Sequence, residues 1–207
     1  MLQEPYDTRS ALFADAEHWF QRGRVALLGE IPCRPGCNRC CIGPFTITIL
    51  DAAELQRGMA NLNAGTRHDI REKAKEPISI IEREFPQLVQ SSYLDEWPDH
   101  QLDRLMDLFA DLPCPALASD GTCHLYQYRP VTCRTMGLPE EAEGIVQSAC
   151  EVQTAVPIIR LSRALREQED RLAEQEATEI ASFRQSAQTT GEEMLLPYGF
   201  FPERTAF

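Results

Sequence analysis

From Asp7 to about Gly29, apolar residues Leu12, Ala16, Trp19 and Phe20 recur on one face of a helix that Asp7 and Thr8 can cap. Past a cysteine-rich stretch, "PFTITIL" alternates with β-branched residues and predicts a short strand. Thr48 and Asp51 have capping-box spacing for a following helix that carries Leu55, Met59 and Leu62. Thr66 and Asp69 are expected to start another helix through Ile70 and Ala74. Pro77 should break or kink it before Ile78, Ile81 and Phe85 continue the pattern, and Pro86 should end it. From Asp99, the residues Leu102, Leu105, Met106 and Phe109 share a helical face that stops at Pro113. Between Cys114 and Cys150, Pro, Gly and Thr predict irregular backbone.

The last helical pattern runs from Pro157 to about Ser186, with Ile158, Leu161, Leu165, Leu172, Ile180 and Phe183 among many charges. Gln168 and Gln175 interrupt its apolar repeat, so a solvated face is expected rather than a coiled coil. The tail "MLLPYGFFPERTAF" is apolar enough to fold back onto the body. The predicted fold is mainly α: a single domain over 1–207, small and helical, around an irregular cysteine-rich metal-binding centre at 33–150. A long C-terminal helix and tail occupy 157–207.

The 207 residues are 43% hydrophobic and 25% charged, ordinary globular composition. No run approaches the ~18 apolar residues of a membrane span, so no membrane partner is expected. A formal charge of −12 makes the chain a poor general binder of nucleic acid. Its first residues lack the basic start and unbroken apolar run of a signal peptide, which implies a cytoplasmic address. Thiols there stay reduced, so eight cysteines point to metal more than to disulfides.

Four of the cysteines lie within the nine residues "CRPGCNRCC", far denser than core packing requires. Cys37 and Cys40, two residues apart, can wrap one metal ion or one iron of a cluster. Pro35-Gly36 favours a turn that leaves N–H groups to point at sulfur. On extended backbone the adjacent Cys40 and Cys41 would diverge, so they need not serve the same centre. A second group, Cys114, Cys123, Cys133 and Cys150, has loop-sized spacings, and folding is expected to bring it to the first. Thiolate coordination, worth about 10 kcal/mol or more in small metal-dependent domains, can offset that ordering.

"CNRCC", "CPAL" and "DGTCHLYQYRPVTCR" together resemble the YkgJ-type cysteine-cluster proteins, a zinc- or iron-chelating family. The resemblance spans about Cys33 to Cys150 and includes Leu117, Gly121, Tyr126, Arg129, Pro130 and Arg134. A similar cluster occurs in flagellin lysine N-methylase. That relationship implies an iron–sulfur centre, preferably 4Fe-4S, and a redox or protein-modifying role resembling lysine methylation, with a protein substrate or partner. The alternative is zinc in a structural or interaction module; thiolates suit both metals.

"CRPGCNRC" also has the radical S-adenosylmethionine spacing, but the adjacent extra cysteine and the remote partners match the cluster family better. Within the resemblance, Cys37, Cys40, Cys123 and Cys133 are the expected primary ligands. Cys33, Cys41, Cys114 and Cys150 are left for a second centre, replaceable ligands or catalytic thiols. His124 falls at a position the family pattern leaves variable. Tyr126 and Tyr128 are expected to pack around the centre, and some of Arg34, Arg39, Arg129 and Arg134 to offset thiolate charge.

Overall fold

Apolar spacing sets the first helix, α1 (Tyr6–Ala26), in which Leu12, Ala16 and Trp19 are fully buried. The structure is a computed structural model that describes residues 6–27, 31, 33, 36–142, 145–147 and 160–205. They are mainly helical, as expected. After a 3₁₀ turn at Arg39–Cys41, strand β1 (Thr46–Thr48) passes into α2 (Ile49–Asn61). The capping box forms there: Thr48 Oγ1 accepts the Asp51 N–H at 3.3 Å, and Asp51 Oδ2 accepts the Thr48 N–H at 3.1 Å.

The next helix, α3 (Ala64–Glu84), differs from expectation in two ways. Asn63 caps it, its Oδ1 accepting the Thr66 N–H at 2.9 Å. Asn accepts from the first-turn N–H groups at least as well as Thr. Pro77 neither breaks the helix nor ends it. Pro77 is buried, as are Ile78 and Ile81, so apolar burial offsets the missing hydrogen bond. Helix α4 (Asp99–Leu108) follows, with Leu105 fully buried.

The predicted irregular stretch holds a 3₁₀ turn at Tyr126–Tyr128, a short helix α5 (Val131–Thr135) and a pair of strands, β2 (Glu140–Ala142) and β3 (Ile145–Gln147). The long helix α6 runs Arg163–Ala187; Pro157, its expected start, lies outside the described residues. Among its residues only Leu165 is buried, which fits a solvated face. Strand β4 (Glu193–Leu195), a 3₁₀ segment at Leu196–Phe200 and α7 (Pro202–Thr205) complete the described residues. No described helix is long and apolar enough to cross a membrane.

The chain divides into two compact units. The first comprises Met1–Cys40 and Val131–Glu179. Its core joins Trp19 and Leu27 to Leu138, Leu161 and Leu165. Trp19 Nε1 donates to the Leu165 carbonyl at 2.9 Å, tying α1 to α6, and α1 also packs on α5. The second comprises Cys41–Pro130 and Ile180–Phe207. Here β1 and β4 pair antiparallel with Ile47 opposite Met194, and Tyr198 and Phe200 are fully buried against α2 and α3. The tail is thus a central part of this unit's core.

Candidate metal centre

Three cysteines of the first group, Cys33, Cys37 and Cys40, belong to the first unit together with Cys133 of the second group. Cys37 is exposed, and Cys33, Cys40 and Cys133 are partly buried. Cys133 sits in the single turn of α5, which Gly137 follows with φ +107. The glycine does more than release the chain from the helix. A Cβ at 137 would overlap the Cys33 sulfur and lie 3.6 Å from the Phe20 ring, so the missing side chain makes room for the thiol. Neighbouring Arg134 is buried, 3.6 Å from Glu17, with its guanidinium over the Phe13 ring at 5.4 Å. It secures α5 to α1 beside Cys133. Arg34 and Cys150 lie outside the described residues.

Cys41, Cys114 and Cys123 belong to the second unit. The Cys41 carbonyl accepts the Cys114 N–H at 2.7 Å, and the Leu112 carbonyl accepts the Gly43 N–H at 2.8 Å, so the two strand-like segments run side by side. Cys114 and Cys123 flank a small loop. Ala118 N–H donates to the Thr122 carbonyl at 2.8 Å, His124 N–H to the Ala116 carbonyl at 3.0 Å, and Leu117 bridges to Cys123. Asp120 accepts the Thr122 hydroxyl at 2.6 Å and its N–H at 2.9 Å, and Gly121 takes φ +83. The Thr122 hydroxyl, then its N–H, hold the Asp120 carboxyl below its ordinary value. "DGT" therefore closes the loop between two cysteines.

In each unit, members of both sequence groups occur together. The boundary falls between Cys40 and Cys41, in the 3₁₀ turn. The backbone there is not extended as anticipated, but three residues per turn still direct adjacent side chains apart. Of the expected primary ligands, Cys37, Cys40 and Cys133 lie in the first unit and Cys123 in the second. Among the described residues no three His, Cys, Asp or Glu side chains form a ready-made metal-holding group. Nor does a disulfide join any two of the seven described cysteines.

Tyr126 and Tyr128 have different roles. Tyr128 lies against α2, where a Cβ on Gly58 would be 2.6 Å from its own Cβ, and its hydroxyl accepts from Asn61 Nδ2 at 3.1 Å. Tyr126 is half exposed under the Arg129 guanidinium, 3.7 Å above its ring, and Arg129 Nε donates to its carbonyl at 3.0 Å. His124 is exposed. Gly58 and Gly137 were not legible as parts of the site, although a glycine two residues beyond α5 is a helix-stop signal.

The donors are soft thiols, and Gly137 supplies the space one of them takes, so the chemistry present fits zinc or iron held through sulfur. No curated protein and no solved structure matches the chain. A family model does, over residues 32–151. The interval between the first two cysteines here holds three residues where the family's name gives two. The chain belongs to the CxxCxxCC family, described as "Putative zinc- or iron-chelating domain".

Proposed function

We propose that the chain holds an iron–sulfur cluster, of the 4Fe-4S type, through Cys33, Cys37, Cys40 and Cys133, and that the cluster serves electron transfer or chemistry on a protein substrate. The observation that carries this reading is the composition of the first unit. Among the described residues it contains four cysteines drawn from both sequence groups, the number that a four-iron cluster requires, and Cys150 falls within its range as a fifth. Cys37 and Cys40 supply the close pair, Cys33 is seated at Gly137, and α5 presents Cys133.

A zinc ion would also take four thiolates. Iron–sulfur is favoured because the chain offers one CxxC pair, where two matched zinc knuckles would use two, and because its cysteines resemble the cluster of flagellin lysine N-methylase. A bound cluster would supply one-electron chemistry. The chain's own share is to seat the sulfurs and to direct N–H donors at them, which tunes the potential. A role in modifying a protein, like the methylase's, follows from the same resemblance.

Anaerobic purification followed by iron, sulfide and zinc determination tests the reading. Brown protein with about four irons and four sulfides per chain is expected. Colourless protein with stoichiometric zinc would overturn it in favour of a structural or interaction module.

A further inference from the structure

In the second unit, α2, α3 and the C-terminal segment line a cleft of about 340 Å³. That is within the roughly 300–1,000 Å³ of small-molecule sites. Met59, Phe200 and Pro202 give it apolar walls; Gln56, Arg67 and Arg71 give it polar ones. Gln56 is held in place by donating to Thr205 Oγ1 at 2.9 Å.

The two arginines need an explanation. They are four residues apart on α3, one turn, where like charges repel. The chain has 32 acidic residues against 20 Lys and Arg, so a cation has many carboxylates to choose from. In the same unit Arg57, Arg104, Arg184 and Arg204 each pair with a glutamate. Neither Arg67 nor Arg71 has an ion pair among the described residues, and Arg71 Nε is shielded from solvent with no acceptor. A shielded guanidinium N–H without an acceptor is costly. An oxyanion in the cleft would relieve the repulsion, and a turn of the Arg71 side chain toward it would relieve that cost, since guanidinium groups hold carboxylate and phosphate through paired N–H donors.

We propose that this cleft binds a small organic anion, its phosphate or carboxylate held by Arg67 and Arg71 and its apolar body against Pro202, with Met59 and Phe200 packed beneath. No cysteine lines it. The net charge of −12 repels anions from the molecule as a whole, so binding depends on these two side chains and on the apolar walls.

The test is calorimetric titration of the full chain with phenyl phosphate, benzoate and inorganic phosphate at fixed ionic strength, with the Met59 methyl followed by NMR. One-to-one saturable binding of phenyl phosphate or benzoate is expected, with Met59 shifting in step. The tighter of the two identifies the head group, and inorganic phosphate should bind about tenfold more weakly or worse for want of apolar contact. Arg67→Gln and Arg71→Gln should each weaken binding by about tenfold or more. Absence of saturable binding by all three probes, unchanged affinity in both variants, or inorganic phosphate binding as tightly as the organic anions would overturn the proposal. A Met59 methyl unmoved at saturation would overturn it without any variant.

Discussion

The sulfur of Cys33 occupies the place that a side chain at Gly137 would fill. Gly137 also has φ +107, a conformation open to glycine and strained for alanine. Gly137→Ala should therefore both strain the backbone, by about 1–3 kcal/mol, and displace the thiol. Gly36 is the control. Its φ is +84, yet a Cβ there would meet nothing within 4 Å, so Gly36→Ala adds strain alone. Lower metal content per chain is expected for Gly137→Ala than for Gly36→Ala, read by elemental analysis, with melting temperatures lowered in both. Equal metal content in the two variants would separate the Cys33 sulfur from ligation.

The division of the cysteines between the units makes Cys33 and Cys123 the informative pair. The sequence alone favoured Cys123 among the primary ligands, whereas the first unit contains Cys33 and not Cys123. Serine is a poor substitute for a thiolate. Cys33→Ser, like Cys37→Ser, Cys40→Ser and Cys133→Ser, should abolish the bound metal, while Cys123→Ser, Cys41→Ser and Cys114→Ser leave at least part of it. The reverse result for Cys33 and Cys123 would restore the sequence-based quartet. Complete loss at every position would instead indicate one cooperative site that needs all the cysteines.

What the sequence made legible were features set by neighbours along the chain. The Thr48–Asp51 capping box, the α2 face with Leu55 and Met59, and the mainly helical fold all follow from local spacing. Local rules cannot weigh burial: Pro77 is buried within α3, which a proline rule based on lost hydrogen bonds ignores. Asn63 and Thr66 are both capping residues three positions apart, and only the backbone shows which one caps. Gly58 and Gly137 accept Tyr128 and Cys33 from far along the chain, which no local pattern encodes. The density of cysteines revealed the chemistry, but their division between units depends on tertiary packing.

The tail supplies core residues to the second unit, so its removal should be felt globally. Phe200 is fully buried, as is Tyr198, and both belong to the cluster containing Ile47 and Leu55. Phe200→Ala should cost about 3–5 kcal/mol, from lost apolar burial and the cavity left behind. Chemical denaturation should show a lower midpoint. A loss under 1 kcal/mol, the order of a surface change, would mean that the tail does not support this core.

Glu193 gives the protein a pH dependence of definite sign. Burial first, then the charges of Asp95 and Glu192, push its carboxyl above the ordinary 4.5. Asp95 is fixed nearby because it accepts the backbone N–H of Glu192 at 2.7 Å and of Glu193 at 3.4 Å. Arg184 pairs with Glu192. With the folded value raised, the folded chain holds the Glu193 proton more tightly than the unfolded chain does. Stability from this group is therefore present below the ordinary value and is lost as pH rises through the raised one. Glu193→Gln keeps the side-chain shape and removes the titration. Its melting temperature should exceed the parent's at neutral pH, and the gain should shrink as the pH falls through the raised value and vanish below 4.5, where both side chains are uncharged. Acid can displace thiolate-bound metal, but the comparison at each pH is between two proteins with the same cysteines, so that loss is common to both. Thermal melts across this range check the sign: a variant less stable than its parent at neutral pH would show that the Glu193 charge is favourably placed in the fold.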